Sequence, residues 1–130
     1  MTVTTAEEDD LAAAMNVLDG ADLDVSVATV RTAIDRNHVL VARSETGTVL
    51  GALVCVDRDP GVRVDAIAVR PNRRDQGIGS ALIEAAGDRW DVLVARFEPG
   101  LWPFYDSLGF VRAPALSREE RRVAARRQPD

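Results

Sequence analysis

The chain has 130 residues and a formal net charge of −5, and 46% of its residues are hydrophobic. This length fits one domain with a hydrophobic core, and the acidic balance argues against general nucleic-acid binding. One cysteine, one histidine and no signal-peptide or membrane-spanning stretch favour a cytoplasmic protein without disulfide, metal centre or membrane contact.

Sequence patterns in the amino-terminal half predict a short first strand, then two helices, then three strands. The predicted elements are, in order, a strand at residues 2–5, a helix from Thr5 to Gly20, a helix from Asp24 or Ser26 to Asn37, and strands at residues 39–43, 49–56 and 62–69. The turns between the last three strands are short, and short turns join antiparallel neighbours. The first part of the sheet is therefore expected to be antiparallel.

The carboxyl-terminal half alternates helix and strand. The predicted elements are a helix from Gly77 to about Ala86 with a stop at Gly87, a strand at 92–97, a helix from about 102 to 108, a strand at 110–113 and a variable tail at 114–130. The first of these helices is a crossover, so the strand after it should run parallel to the strand before it. In the tail, a capping-box pattern at Ser117 predicts a short arginine-rich helix, with a disordered end as the alternative.

A basic loop that carries glycine joins the last antiparallel strand to the crossover helix. Arg70, Arg73 and Arg74 precede Gly77 and Gly79, and a helix start leaves its first four N–H groups without intrahelical partners. The helix dipole places partial positive charge there, and glycine lets a ligand approach the backbone closely. The loop therefore predicts a site for a phosphorylated ligand.

Several phosphate-binding patterns compete for this loop. A Walker loop requires Gly-Lys-Ser/Thr, and the chain contains no lysine. A dinucleotide fingerprint requires a tight turn directly after the strand, whereas seven residues separate Val69 from Gly77. The third pattern, R-x-x-G-x-G, is met by Arg74, Gly77 and Gly79. Taken alone, it favours an ordinary turn with solvated arginines.

A second segment strengthens the third pattern. Residues 69–79, VRPNRRDQGIG, resemble the acyl-CoA loop of the GNAT N-acetyltransferase superfamily, and residues 102–110, WPFYDSLGF, resemble its F-Y-x-x-L-G-F segment. The two segments occur in the order and at about the spacing that this superfamily shows. The resemblance covers roughly residues 38–112.

This resemblance implies a fold, a donor and a class of acceptor. The fold is α/β, with a central mixed sheet of about six strands flanked by helices, an antiparallel first half and a parallel pair at the acyl-CoA site. The expected activity is transfer of an acetyl group from acetyl-CoA, the co-substrate, to a primary amine. The donor is expected to contact Ile67, Ala68, Val69, Arg74, Asp75, Gln76, Gly77, Ile78, Gly79 and Ser80.

Two residues are expected to take part in the chemistry. Tyr105 matches the superfamily tyrosine that protonates the departing thiolate, and an ordinary tyrosine pKa of about 10 keeps it protonated at neutral pH. Asp65 stands where the superfamily often has a glutamate base. A carboxylate matches an ammonium poorly in pKa, so a water relay and a plain polar strand position stay open. Glu98 and Asp75 stand where asparagine and glycine are usual.

Three alternatives stay open in the sequence. A CoA-binding module of the same fold, which senses or partners without transfer, is the alternative to an enzyme. The superfamily usually has a last strand where the tail lies, so the sheet is one strand short or a second copy supplies that strand in a homodimer. Asp19, Asp22 and Asp24 either attract a cationic amine or form a solvated acidic surface.

Overall fold

The computed structural model describes residues 1–20, 25–58, 61–114 and 123–127. A mixed sheet of seven strands forms its centre, one more than the approximate number expected. The strands are β1 (Thr2–Thr5), β2 (Val39–Arg43), β3 (Val49–Arg58), β4 (Gly61–Val69), β5 (Leu93–Phe97), β6 (Val111–Arg112) and β7 (Val123–Arg127). The helices are α1 (Leu11–Gly20), α2 (Val27–Asp35), α3 (Ile78–Arg89) and α4 (Trp102–Ser107).

The sheet order confirms the predicted mixed α/β architecture. The strands lie in the order β1-β2-β3-β4-β5-β7-β6. Every neighbouring pair is antiparallel except β4 and β5, which are parallel. The antiparallel first half and the parallel pair are therefore as predicted, and α3 is the crossover that joins the parallel strands.

Helices cover both faces of the sheet, which is why the central strands are apolar along most of their length. β3 is buried over its first seven residues, and alternate side chains belong to opposite cores. On one face, α3 packs around Leu53 and Leu82, and Tyr105 of α4 joins the same core. On the other face, α1 and α2 pack around Val30 and Val54. We call these the α3 face and the α1 face.

The position of α3 depends on Gly51 in β3. A Cβ atom at Gly51 would lie 3.1 Å from the carbonyl oxygen of Ala68 and 3.1 Å from Cγ2 of Ile78. Both distances are shorter than ordinary van der Waals contacts, so a side chain here would push the helix away from the sheet. The absence of a side chain lets the first turn of α3 pack directly against β3 at Gly51.

The parallel strands β4 and β5 separate soon after they meet. Val62 pairs with Leu93 and Arg63 pairs with Val94, and these two pairs are all that join β4 to β5 in the described residues. Among the described residues, no strand pairs with the remainder of β4, towards Val69, on that edge. An opening therefore lies between the carboxyl-terminal halves of the two strands, next to the start of α3.

Two predicted boundaries differ from the structure. α3 continues through Gly87 to Arg89, because burial of Ala86 against the sheet offsets a glycine penalty of about 1 kcal/mol. The amino-terminal capping interaction is not at Thr5, which pairs with β2 as the last residue of β1. It lies two residues later, where the backbone N–H of Glu7 donates to Oδ2 of Asp10 at 2.8 Å.

The prediction of a helix or a disordered end at the carboxyl terminus is wrong for the residues described there. Val123–Arg127 form β7, which pairs antiparallel with both β5 and β6. The helix propensity of alanine and arginine is only a local preference. Strand pairing outweighs it here, because β7 satisfies the N–H and C=O groups of two strand edges at once. The expectation of a missing strand, or of one supplied by a second copy, is therefore also wrong. The Ser117 pattern lies outside the described residues.

Candidate functional site

Arg70 anchors the loop between β4 and α3 to the rest of the fold. Its backbone N–H donates to the carbonyl oxygen of Leu50 at 2.9 Å, and its Nε donates to that of Val49 at 2.8 Å. Its Nη1 donates to Oδ1 of Asn16 in α1 at 2.9 Å. This guanidinium is therefore structural. The remaining positive charge of the loop is carried by Arg73 and Arg74.

The first cavity of the site lies at the start of α3, and we call it the loop cavity. It has a volume of about 470 Å³ and is lined by Val69, Arg73, Arg74, Asp75, Gly77, Ile78, Gly79, Ser80 and Phe104. Gly77 is the N-cap in the left-handed region, with φ 82°, and no side chain caps the first turn. Uncapped N–H groups and two guanidiniums thus meet at one cavity, which suits an anion.

A second cavity, the strand cavity, follows the open edge of β4. It has a volume of about 280 Å³ and is lined by Ile67, Ala68, Val69, Arg74, Gly79, Leu101, Phe104 and Tyr105. The two cavities share Val69, Arg74, Gly79 and Phe104. The two cavities are therefore adjacent, one at the basic loop and one at Tyr105, and we call them together the channel.

Tyr105 is held by three aromatic rings. Its ring stacks on Phe97 at a centroid distance of 4.0 Å, and Phe104 and Phe110 meet it edge-on at 5.0 and 5.1 Å. The residue is only 4% exposed, and its hydroxyl has no hydrogen-bond partner in the described part of the chain. Burial, with a smaller contribution from Cys55, raises the pKa of Tyr105 to about 12. The phenol is therefore a fixed, protonated donor that lines the strand cavity.

Ionisation of two buried groups is expected to destabilise the protein above pH 9. Burial raises the pKa of the Cys55 thiol from 9.0 to about 12, and the pKa of Tyr105 is raised from 10.0 to about 12. A raised pKa means that the stabilisation is complete below the unfolded pKa and is lost as the pH rises towards the folded one. We expect the free energy of unfolding to fall by about 5 kcal/mol between pH 9 and 12 in denaturant titrations.

The composition limits which side chains can cause this pH dependence. The chain has one cysteine, one tyrosine and no lysine, so only these two side chains titrate in that interval. Cys55→Ala should remove a large part of the slope while lowering the stability at pH 7 through lost packing. A free energy of unfolding that stays level from pH 9 to 12 in the parent would contradict the burial of both groups.

A β-bulge determines the position of Asp65. The register between β3 and β4 shifts between Val54 and Cys55, which leaves Asp65 as an extra residue of β4. Bulges change the direction of side chains and recur next to active sites. The Oδ1 atom of Asp65 lies 3.5 Å from Nη2 of Arg63. The carboxylate therefore sits beside a guanidinium, close to the point where β4 and β5 separate.

Most of the residues predicted to contact the donor surround the channel. Nine of the ten line the loop cavity or the strand cavity, and Gln76 is the one that lines neither. Tyr105 lines the strand cavity, whereas Asp65 lines neither cavity. Leu101 and Phe104 line the channel without having been singled out in the sequence. Only Phe104 carried a signal, as the neighbour of Tyr105 in the aromatic segment.

Asp75 adds an acidic group to the basic loop cavity in a strained backbone position. Its φ of 63° lies in the left-handed region, which glycine adopts at little cost and which asparagine and aspartate tolerate better than most residues. If the loop holds the predicted donor, Asp75→Asn and Asp75→Gly are both expected to tighten acetyl-CoA binding about fivefold at low salt, because each removes about 1 kcal/mol of repulsion from the phosphates.

Calorimetry at two salt concentrations checks this Asp75 prediction. The gain should shrink at high salt, because the loop is exposed and screening weakens the repulsion. Asp75→Gly alone should also stabilise the fold, since it relieves the left-handed strain. Weaker acetyl-CoA binding in both variants would show that the carboxylate supports the ligand instead of opposing it.

Of the three acidic residues considered as a site for a cationic amine, the structure describes one. Asp19 is exposed at the end of α1, and Asp22 and Asp24 lie outside the described residues. No helix within the described ranges is long and apolar enough to cross a membrane. In the same part of the chain, no group of three or more His, Cys, Asp or Glu side chains is placed to hold a metal ion.

Comparison with known proteins identifies the family of this site. A family model described as an acetyltransferase (GNAT) domain matches residues 35–112, which include β2 to β6, the basic loop and α4. No curated protein sequence matches the chain significantly.

Solved structures share the fold over nearly the whole chain. A GNAT-family acetyltransferase from Bacillus cereus ATCC 10987 superposes with a TM-score of 0.82 at 16% identity, covering 99% of this chain and 97% of that one. The ribosomal-protein-S18-alanine N-acetyltransferase from Escherichia coli gives 0.77 at 21% identity, covering 96% and 90%. N-acetylglutamate synthase from Neisseria gonorrhoeae, complexed with coenzyme A and N-acetyl-glutamate, gives 0.75 at 17% identity, covering 98% and 34%. At these identities the similarity shows the fold.

Proposed function

The chain belongs to the GNAT acetyltransferase family, and from this premise we propose that it transfers an acetyl group from acetyl-CoA to a primary amine. One observation carries the proposal. The loop cavity and the strand cavity share Val69, Arg74, Gly79 and Phe104, so an anion site and a buried phenol stand at opposite ends of the channel. A ligand with phosphates in one part and a thioester at its end matches that arrangement.

The parts of acetyl-CoA are assigned to the channel by chemistry. The pyrophosphate takes the uncapped start of α3, where N–H groups and guanidiniums offer charge-assisted hydrogen bonds. The pantetheine arm follows β4 past Ile67 and Val69. In the part of the chain that the structure describes, this stretch of β4 has no strand partner on that edge, because β5 has separated from it. Such an edge can pair with the amides of an extended ligand. The thioester then lies beside the hydroxyl of Tyr105.

The reaction requires two proton movements. The amine nitrogen attacks the thioester carbonyl carbon and loses a proton to a base, and the C–S bond breaks to release a thiolate. The thiolate then takes up a proton, for which Tyr105 is the donor. With a pKa of about 12, complete transfer from Tyr105 to a thiolate is uphill by roughly 5 kcal/mol, because the thiol pKa is about 8.5. Tyr105 therefore acts first as a hydrogen-bond donor to the developing charge.

Asp65 is the candidate base, and Asp65→Asn tests it. We expect kcat at neutral pH to fall about 10²-fold with an identified amine, because a positioned base is lost. The affinity for acetyl-CoA should stay unchanged, since Asp65 lines neither cavity. Arg63→Gln is the matched control, because it removes the ion-pair partner and keeps the carboxylate. Equal activity of Asp65→Asn and the parent across the pH range would assign the proton to water.

Turnover tests the proposed function itself. Thiol release from acetyl-CoA is measured with a panel of peptide amino termini, free amino acids, lysine side chains and polyamines, and the product is identified by the mass of one added acetyl group. The first two classes are included because the E. coli and N. gonorrhoeae proteins of similar fold are named for such acceptors. Release with at least one class is expected. Binding of acetyl-CoA without release to any class would favour the CoA-binding module.

A further inference from the structure

A third cavity lies between α2 and the carboxyl-terminal end of β3, and we call it the α2 cavity. It has a volume of about 320 Å³, and its described lining is Ala28, Thr29, Thr32, Ala33, Arg36, His38, Cys55, Val56 and Asp57. No residue of this lining also lines the loop cavity or the strand cavity. The α2 cavity is therefore separate from the channel.

The α2 cavity lies at the opposite end of the sheet from the basic loop. The register of the antiparallel strands β3 and β4 pairs Gly51 with Val69 beside the loop, and Asp57 with Val62 at the other end. From Gly51 to Asp57 the strand advances six residues, or about 20 Å at roughly 3.3 Å per residue. A ligand in the α2 cavity would therefore bind well apart from acetyl-CoA.

Short side chains on α2 leave room for this cavity. The buried residues of α2 pack on the α1 face of the sheet. Beside them, Ala28, Thr32 and Arg36 are spaced four residues apart, so they form one row along the helix. Ala28 and Thr32 are too short to fill the space between this row and β3. The cavity is thus apolar along Ala33 and Val56, and it is polar at its Arg36 end.

His38 is held in one orientation at the polar end. Its Nδ1 lies 2.8 Å from the carbonyl oxygen of Arg36, and its Nε2 lies 2.9 Å from Oδ1 of Asp57. Its ring also packs against Trp90 at a centroid distance of 5.2 Å. A carbonyl and a carboxylate both accept hydrogen bonds, so this geometry is complete when both ring nitrogens carry hydrogen. The hydrogen bond from His38 lowers the pKa of Asp57, which keeps that carboxylate ionised.

Asp57 is bound more closely to His38 than to Arg36. Its Oδ2 lies 3.5 Å from Nη1 of Arg36, which is longer than an ordinary N–H···O hydrogen bond. The Arg36 side chain is 63% exposed, so most of its donors face the cavity or solvent. Arg58 also contacts this residue, since its Nη1 lies 3.3 Å from the carbonyl oxygen of Asp57. In the described part of the chain, three cationic side chains therefore surround one carboxylate, although the whole chain has a net charge of −5.

We propose that the α2 cavity binds a small monocarboxylate with an apolar body, and that Arg36 recognises its carboxylate. Within the described lining, protonated His38 and Asp57 form a neutral pair, and Arg36 leaves one positive charge for a ligand with one negative charge. A guanidinium can donate two parallel hydrogen bonds to a carboxylate. The Thr32 hydroxyl, one turn earlier in α2, has no partner among the described residues and can donate a third.

The size and the apolar lining of the cavity limit the rest of the ligand. A volume of about 320 Å³ is at the lower end of the range for small-ligand sites, so it fits a short aliphatic chain. Ala28, Ala33, Cys55 and Val56 offer such a chain apolar contacts away from Arg36. The ligand is therefore expected to place its carboxylate at the exposed end of the cavity and its chain between α2 and β3.

Titration with hexanoate, followed by amide NMR shifts, tests the site and its preference for charge. Hexanoate should shift amides of α2 and of the carboxyl-terminal end of β3. It should bind about fivefold more tightly than hexanamide, which keeps the chain and lacks the charge, because an exposed ion pair contributes about that much. Equal affinities of the two compounds would overturn the proposal. Shifts confined to residues 73–80 would place hexanoate in the loop cavity and would also overturn it.

Two substitutions on α2 test the role of Arg36. Arg36→Gln should weaken hexanoate binding about fivefold and leave hexanamide binding unchanged, because only the charge-assisted contact is lost. Arg31→Gln makes the same change at an exposed position of α2 outside the described lining, and it should alter neither affinity. An unchanged hexanoate affinity in Arg36→Gln would show that another group recognises the carboxylate, against the proposal.

Filling the cavity tests its position independently of charge. Ala28 is exposed and leucine is a good helix former, so Ala28→Leu should fold. It should weaken hexanoate and hexanamide alike by at least about fivefold, whereas Ala12→Leu on the exposed surface of α1 should change neither. Acetyl-CoA affinity should stay the same in both variants, because the α2 cavity is separate from the channel. Parental affinity of Ala28→Leu for hexanoate would remove the ligand from this cavity.

Discussion

Replacing Tyr105 with phenylalanine is expected to lower kcat by about 10²- to 10⁴-fold, or roughly 3 to 5 kcal/mol of barrier. The substitution removes the hydroxyl at the end of the channel and keeps the ring that stacks on Phe97 at 4.0 Å. That hydroxyl has no hydrogen-bond partner in the described residues, so the melting temperature should not fall. KM for acetyl-CoA should change little, because the lost interaction forms mainly in the transition state.

Steady-state kinetics with an identified amine check this expectation, and direct calorimetry of acetyl-CoA is the control. Retained affinity together with reduced kcat would place Tyr105 in the chemical step. If Tyr105→Phe acetylates the amine as fast as the parent, water supplies the proton and the assignment is wrong. If both proteins bind acetyl-CoA and neither turns over any amine, the chain is a CoA-binding module.

Gly79→Glu is expected to weaken acetyl-CoA binding by at least about 10²-fold while the fold is kept. A Cβ atom at Gly79 would lie 3.7 Å from Cζ of Phe104 and 4.0 Å from Cγ2 of Val69, which are ordinary contact distances. Gly79 is not among the glycines with positive φ, so a side chain adds no backbone strain. The new carboxylate would stand where the two cavities join, beside the proposed pyrophosphate position.

Two controls separate charge, bulk and fold in this test. Gly79→Gln introduces a side chain of the same size without charge, and it should retain part of the affinity. Gly20→Glu makes the same substitution at the end of α1, where nothing lies within 4 Å of the added Cβ, and it should leave binding unchanged. Circular dichroism and the melting temperature confirm folding of each variant. A calorimetric affinity of Gly79→Glu equal to the parent's would remove acetyl-CoA from the start of α3.

Local sequence rules determined the elements of the fold that depend on near neighbours in the chain. Apolar, β-branched runs correctly predicted β2 to β5, and short turns predicted that β2, β3 and β4 are antiparallel neighbours. The arginine and glycine residues of the basic loop predicted a strand, a turn and a helix start that could hold an anion. Those features follow from backbone geometry and from the unsatisfied N–H groups of a helix end, and both are properties of short segments.

Tertiary structure decided where individual side chains point and which distant segments pair. Nothing local shows that Arg70 reaches α1 while Arg73 and Arg74 line cavities, because that depends on the distance to Asn16, 54 residues away. The bulge that holds Asp65 comes from the register with β3 and not from β4 itself.

The carboxyl-terminal strand is the clearest case in which local sequence preference did not predict the structure. The sequence of Val123–Arg127 favours a helix by local propensity, yet the segment forms β7 between β5 and β6. Hydrogen bonds along two strand edges outweigh a preference of a few tenths of a kcal/mol per residue. The sequence by itself therefore determined the family pattern, the loop and the aromatic segment. Packing between segments far apart in the chain decided the last strand, the bulge and the channel, because these contacts exist only once the sheet has assembled.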